Sequence, residues 1–482
     1  MSLPLVLYPF VALSLGLFAA NLFWPRDDLR PSSLALRLSL GVGLGLALLS
    51  FLMFFWLMAE GRWSSPFNLL MWASLALGPA AFWLRRPAAA PAADGAPGSE
   101  EFAPIARAYF FLALAAALVV FVFYFWKNPH GNWDAWSHWN LRARFVFWGG
   151  EKWANALHPD YWNPLNYPLL WPMAVSAGWG FVGAESRWIP GLTAMLFALG
   201  TVVLLTSALA RTRGKTQGYL AGILLLGTPF FLTHGVSQYS DIPLAFFFLA
   251  TFAAAARHDA EPSGSPRFLV LAGTMAGLAA WTKNEGLLFI LCFYAARLGT
   301  TLLRSGWRRA LAEALWLTAG LLPVMAVVLY VKTQLYSSPR TIFETRGVLY
   351  NFANFTNLER YRKILSAYWH TFFGFGKWGL SLTLLMIPYA LWMGRTEAKA
   401  ARSPAAATLW TLLLMACGYF AVYLATPHNL DWHIGTSVDR LFLCLWPGFL
   451  FGYFLSVRTP EEAVQGAEDG ARAPSLLPQT HP

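Results

Sequence analysis

Residues 108–126 read AYFFLALAAALVVFVFYFW, and residues 130–147 read HGNWDAWSHWNLRARFVF. The first stretch carries no charge at all. A helix needs about 20 such residues to cross the hydrocarbon of a bilayer, so this run is expected to span a membrane. The second stretch sets one carboxylate, Asp134, among Trp133, Trp136 and Trp139, with His138, Asn140, Arg142 and Arg144 close behind. A span followed at once by so many polar and aromatic groups fixes both the class of fold and the place to look for chemistry.

The same pattern governs the whole chain. Its 482 residues are 57% hydrophobic and only 12% charged, with a mean hydropathy of +0.46. Soluble domains carry about 25% charged residues, so an all-α polytopic membrane protein is expected. The 24 tryptophans and 17 tyrosines suit aromatic belts at two membrane surfaces. Besides 107–126, candidate spans lie near 3–24, 34–58, 66–84, 189–210, 217–235, 241–257, 267–282, 285–303, 308–333, 376–394, 405–426 and 438–456. That gives about 13 transmembrane helices. The stretch YPLLWPMAVSAGWGFVGA at 167–184 is short and broken by prolines and glycines. The basic loops, from Arg26/Arg30/Arg37 to Arg395/Lys399/Arg402, all face the cytoplasm only if 167–184 does not cross. It is therefore read as an interfacial or re-entrant helix on the outer side, with the N-terminus outside and the C-terminus in the cytoplasm.

The start, MSLPLVLYPF, lacks a basic n-region, so the first run reads as a retained span. Cys292, Cys417 and Cys444 stand far apart in apolar segments and form neither a disulfide framework nor a metal spacing. The net charge of +11 is mostly loop charge that sets orientation, with some meeting anionic lipid or phosphate; no nucleic-acid partner is expected. The organisation divides into N-terminal transmembrane helices (1–86), a flexible Ala/Pro/Gly linker (87–104), a transmembrane core (105–456) and a disordered cytoplasmic tail (457–482). Outer loops 127–188, 334–375 and 427–438 belong to the core, and polar residues capable of chemistry concentrate there.

An ionised carboxylate at a membrane boundary is solvated, paired or used. Asp134 is thus either an acid paired to Arg142 or Arg144 within an aromatic anchor, or a reactive group in a pocket whose indoles suit sugar rings. The same loop supplies Glu151, His158, Asp160, Tyr161, Asn163, Asn166 and Tyr167. Ser240-Asp241, before Ile-Pro, reads as a helix cap that doubles as part of a site. In WTKNEG (281–286), Lys283 and Glu285 either neutralise each other or offer an ammonium for a phosphate. The 334–375 loop brings Arg340, Arg346, Arg360, Arg362, Lys363 and His370, a solvated face or a phosphate surface. His428, Asp431 and His433 match no standard metal spacing and read as hydrogen-bonding partners. Asp439 and Arg440 are a mutual pair or a phosphate clamp. No Walker A, Gly-rich dinucleotide turn or GxSxG is present, and no soluble stretch is long enough to hold a nucleotide cofactor.

With these residues assembled, residues 105–456 resemble the GT-C superfamily of integral membrane glycosyltransferases, above all bacterial members near the protein-mannosyltransferase and aminoarabinose-transferase group. Asp134 in GNWDAWSHWNLRAR stands where that family keeps a catalytic aspartate, in the first outer loop after a span. Tyr167-Pro168, Ser240-Asp241 and TSVDRLFLCLWP (436–447) follow in the family's order. Many members pair two acids in the first loop, whereas Ala135 follows Asp134 here; a second acid would have to be Asp160 or Asp241.

The resemblance implies transfer of a sugar from a polyprenyl-phosphate-linked donor to an acceptor hydroxyl at the outer face, inverting, with Asp134 as general base. Asp241 and Asp160 are the further catalytic candidates. Lys283, Arg340, Arg346 and Arg440 are candidates for the donor phosphate. Trp133, Trp136, His138, Trp139, Asn140, Arg142, His158, Tyr161 and Glu285 are candidates for sugar and acceptor. No cofactor is assigned, and a divalent metal is compatible but not indicated. The acceptor is a lipid, a glycan or a protein, and the implied location is the bacterial inner membrane with the site facing the periplasm. The rival expectation is a lipid-linked saccharide flippase or other transporter. Transporters bury ionisable groups near the midplane and show internal repeats, whereas these spans are almost free of internal charge.

Overall fold

A computed structural model of the chain describes residues 2–25, 31–84, 100–158, 167–261, 265–336, 354–378 and 381–472. The expected all-helical class holds: these residues form helices joined by short turns, with no β-strand among them. Among the described residues eight helices are long and apolar enough to cross a membrane: Leu3–Phe23, Pro31–Glu60, Ala103–Lys127, Trp188–Arg213, Glu285–Ser305, Trp307–Leu335, Ala400–Ala425 and Leu430–Ser456. The count becomes nine if a bent pair forms one span, so thirteen crossings are not confirmed. The helices Arg267–Thr282 (16 residues) and Leu382–Met393 (12 residues) illustrate why. At 1.5 Å per residue they reach roughly 24 and 18 Å, short of a hydrocarbon core of about 30 Å. The expected span 217–235 is two helices, Lys215–Leu226 and Pro229–Gly235, bent by 74°. Pro229 lacks the N–H that a continuing helix requires and instead starts a new one at its first turn.

The helix within 167–184, Leu170–Val182, is buried almost throughout and packs against Pro31–Glu60 and Asn140–Trp148. Two other expectations change. The outer stretch 334–375 is not wholly loop, since Leu358–Phe373 is helical and capped by the Asn357 side chain. The tail, expected to be disordered, forms the helix Pro460–Arg472 over its described part. Thr459 and Glu462 each accept the other's backbone N–H at 3.1 Å, the capping box that Thr-x-x-Glu encodes. The linker falls largely on 85–99, outside the described residues.

Between helices in lipid there is no hydrophobic driving force, so close backbone approach and hydrogen bonds hold the bundle together. A Cβ on Gly16 would stand 1.7 Å from the Gly41 carbonyl oxygen, and one on Gly45 would stand 1.7 Å from that of Ala12. Glycine is therefore required where the first two helices meet. These N-terminal helices also reach the rest of the bundle: Tyr8 Oη lies 2.9 Å from Thr193 Oγ1, and Trp281 Nε1 donates to Ser50 Oγ at 3.0 Å. Phe51 stacks on the Trp281 ring at 5.4 Å. The N-terminal helices thus brace the residue that leads into the Lys283 turn.

Candidate active site

The first loop is fastened to the turn at 235–240 before any side chain of the site is placed. Asn132 N–H donates to the Ser237 carbonyl at 3.1 Å. Gly131 sits at φ +75°, where a Cβ would lie 2.6 Å from that same carbonyl oxygen, so only glycine allows the approach. Asp134 then opens a π-helical turn, Ala135–Trp139, a departure from α geometry often found at functional sites. The Asp134 backbone N–H donates to the Tyr239 hydroxyl at 3.1 Å. Asn140 locks the far end, donating through Nδ2 to Gln238 Oε1 at 2.7 Å and accepting from Trp171 Nε1 at 2.9 Å.

Five charged side chains from four segments meet at this end of the bundle. Arg440, on the Leu430–Ser456 helix, reaches Asp134 Oδ2 through Nη1 at 2.8 Å and Asp241 Oδ2 through Nη2 at 2.7 Å. Its guanidinium carbon lies 4.7 Å from the centre of the Tyr239 ring. Lys283 Nζ joins Asp241 Oδ1 at 2.9 Å and Glu285 Oε1 at 3.0 Å. The row therefore runs Asp134–Arg440–Asp241–Lys283–Glu285, three carboxylates on two cations. Its exposure is uneven: the side chains of Asp241 and Lys283 are 1% and 6% exposed, those of Asp134, Arg440 and Glu285 about a fifth. Burial opposes the charge on Lys283, but Asp241 and Glu285 outweigh it and hold the ammonium well above its ordinary value. Burial also pushes His138 below its ordinary value against the pull of Asp134, so His138 is neutral at physiological pH.

The structure thus unites Asp134, Asp241, Lys283, Glu285 and Arg440 from the sequence candidates. It also redistributes their partners. Arg142 does not pair with Asp134 but donates to the Tyr167 carbonyl at 2.8 Å, which the Tyr336 hydroxyl reaches at 2.5 Å. Arg144 makes its ion pair with Glu185. Asp439 does not pair with Arg440; its carboxylate accepts from Thr371 at 3.1 Å. Trp133 and Trp136 are exposed and meet edge to face at 4.4 Å, while Trp139 is buried against Tyr167 at 5.0 Å. His158 follows the 3₁₀ turn Gly150–Leu157, its backbone N–H donating to the Asn155 carbonyl at 2.9 Å. Lys363 pairs with Asp431, Arg362 with Glu359, and Arg360 donates to the Tyr423 carbonyl. Asp160, Tyr161, Arg340 and Arg346 lie outside the described residues.

Sequence reasoning missed Tyr239, Gln238 and Tyr336. Tyr239 had a signal, since it directly precedes Ser240-Asp241. Tyr336 had none, because its contact with Tyr167 crosses 169 positions.

Buried polar atoms almost always find a partner, and exceptions ask for a reason. Glu285 Oε2, Ser240 Oγ, Ser137 Oγ and Trp139 Nε1 have none among the described residues. All four belong to the segments that build the row. A cavity of about 650 Å³ is bounded by Trp136, Asn140, Arg144, Glu185 and Gln238, and does not include the charged row. Among the described residues no group of three or more His, Cys, Asp or Glu is placed to hold a metal ion; Arg440 stands between Asp134 and Asp241.

No curated protein and no solved structure matches the chain. Residues 169–331, about a third of the chain, match the model of a family described as dolichyl-phosphate-mannose-protein mannosyltransferase. That segment contains Asp241, Lys283 and Glu285. The match bears out the resemblance to GT-C enzymes and, together with the apolar helices, supports a multi-pass membrane glycosyltransferase that uses lipid-linked sugar donors.

Proposed function

We propose that the chain transfers a sugar from a polyprenyl-phosphate-linked donor to an acceptor hydroxyl, with inversion, and that Asp134 is the general base. The observation that carries this reading is the position of Asp134. Arg440 holds it through one oxygen, yet its side chain keeps about a fifth of its surface open. Asp241, by contrast, is sealed and saturated by Arg440 and Lys283, which suits positioning rather than proton transfer. Asp134 takes the proton of the acceptor hydroxyl as that oxygen attacks the anomeric carbon. The bond from that carbon to the phosphate oxygen breaks, and the lipid phosphate leaves with the electron pair. A positioned base contributes on the order of 10²–10⁴ in rate. The leaving phosphate is already a stable anion and needs cations rather than an acid. Arg340 and Arg346 stay candidates for that contact.

The exposed indoles of Trp133 and Trp136 form an aromatic wall for the sugar, and Glu285, whose side chain is about a fifth exposed, accepts from a sugar hydroxyl. The site faces the periplasm of a bacterial inner membrane, in keeping with the basic loops assigned to the cytoplasmic side. The test is transfer of radiolabelled sugar from polyprenyl-phosphate donors into lipid, glycan and protein fractions, comparing wild type with Asp134→Asn at matched expression. Transfer lost in the variant with donor still bound supports the base. Undiminished transfer removes Asp134 from that role. Movement of lipid-linked sugar between leaflets without transfer by the wild type would replace the enzyme with a flippase.

A further inference from the structure

The charged row creates a difficulty for an anionic donor. Three carboxylates face two cations, and Arg440 and Lys283 are both engaged by them. A phosphate placed there meets surplus negative charge. Inverting displacement also puts the leaving oxygen on the opposite side of the sugar from the base, so the phosphate belongs some distance from Asp134, about the width of a sugar ring away.

Lys377 stands at the far end of a row of aromatic rings that starts at Arg440. It lies in the turn GFGKW at 374–378, between the helices Leu358–Phe373 and Leu382–Met393. The turn is pinned on two sides. Gly376 accepts the Phe230 backbone N–H at 3.2 Å, and Phe375 packs at 4.8 Å on Trp446, on the helix that carries Arg440. Lys377 Nζ stands 4.5 Å from the centre of the Phe230 ring. From there a row of rings leads to the site: Phe230 to His234 at 4.1 Å, His234 to Tyr239 at 5.9 Å, and Tyr239 to Arg440 at 4.7 Å.

Two further features set this lysine apart. It is exposed, and among the described residues no carboxylate pairs with it. It also holds a left-handed backbone, φ +59°; the only other described non-glycine residue with positive φ is Gln238, at +61°, in the first-loop clamp. Such a conformation is strained for a side chain with a Cβ, and persists where the surroundings enforce it. An ammonium without an acid partner is a point charge suited to phosphate.

We propose that Lys377 binds the phosphate of the lipid-linked donor, a role that rests on the glycosyltransfer reading. The test uses the full chain in non-ionic detergent and dodecyl phosphate as the probe, with binding followed by calorimetry. Lys377→Gln is expected to weaken binding about tenfold, and Lys377→Arg to stay within about threefold of wild type. Lys377→Gly is expected to lose binding as the glutamine variant does while melting at a higher temperature, because glycine accepts the left-handed backbone without strain. That variant separates lost charge from a damaged fold. Binding by Lys377→Gln equal to wild type overturns the assignment and leaves the donor reading standing. Binding by Lys377→Arg as weak as by Lys377→Gln also overturns it, since the charge would not be what acts. No binding by the wild type overturns both the assignment and the lipid-phosphate donor.

Discussion

Two helices carry a charged cluster at each end, and the two clusters differ in how completely they are closed. The Asp241–Asp259 helix begins in the candidate site and ends in a second cluster; the Glu285–Ser305 helix contributes Glu285 to the first and Arg297 to the second. At the far end Arg297 grips both oxygens of Asp259, at 2.7 and 2.6 Å, and reaches Glu313 Oε2 at 2.9 Å. Thr301 donates to the same Glu313 oxygen at 2.9 Å, and Arg309 approaches its partner oxygen at 3.4 Å. Arg297 and Glu313 are only 2% and 4% exposed. The row around Arg440 uses the same chemistry but stays partly open at Asp134 and Glu285, whose side chains are about a fifth exposed. A finished network ties helices together; an unfinished one at a rim has capacity left for a ligand.

Mutations should separate these roles. The largest effect is expected from Asp134→Asn: transfer falls on the order of 10²–10⁴-fold, while detergent melting shifts by no more than about 1 kcal/mol in stability, because Arg440 keeps Asp241. Large unfolding of this variant would erase the distinction between the two ends. Next comes Arg297→Met, which strands two buried carboxylates and should cost about 3–5 kcal/mol of stability. Transfer per folded molecule should be unchanged, and a loss there would show that the far cluster also serves the chemistry.

Asp241→Asn should have a smaller effect than either. It weakens charge-assisted bonds from both Arg440 and Lys283, for about 1.5–3 kcal/mol, and frees Arg440 to move away from Asp134. A fall in turnover rate with donor binding kept would sharpen its role as a positioning residue; a pure stability loss would make it structural, like Asp259. The smallest effect concerns His138, whose neutral form the fold favours. Unfolded, it takes up a proton near pH 6.5, so over the window just below that value the unfolded state binds more protons and stability rises with pH. His138→Gln should flatten this slope by up to one proton, measured by melting at successive pH values. An unchanged slope would mean that His138 is as solvated in the fold as in the unfolded chain.

The helical class was legible because 108–126 and its counterparts meet the length and polarity that a bilayer demands of any single stretch. Asp134 was legible as a candidate because a lone acid among tryptophans is conspicuous without any partner in view. The number of crossings was not, since the bend at Gly227–Thr228 and the shortness of Arg267–Thr282 depend on what neighbouring helices support. The Thr459–Glu462 capping box is local to four residues, but the polar composition of the tail around it masks the signal. Other failures were unavoidable: Arg142 and Arg144 were the nearest cations to Asp134 along the chain, and neither is its partner.

What the sequence determined by itself is the membrane class, the helices and the segments that hold reactive groups, because hydropathy and local charge are properties of contiguous residues. What only the tertiary structure decided is which charges meet. Arg440 chooses Asp241 across 199 positions and ignores adjacent Asp439. Neighbours on a helix point in different directions, and an ion pair forms between whichever side chains the packing of separate helices brings within about 3 Å.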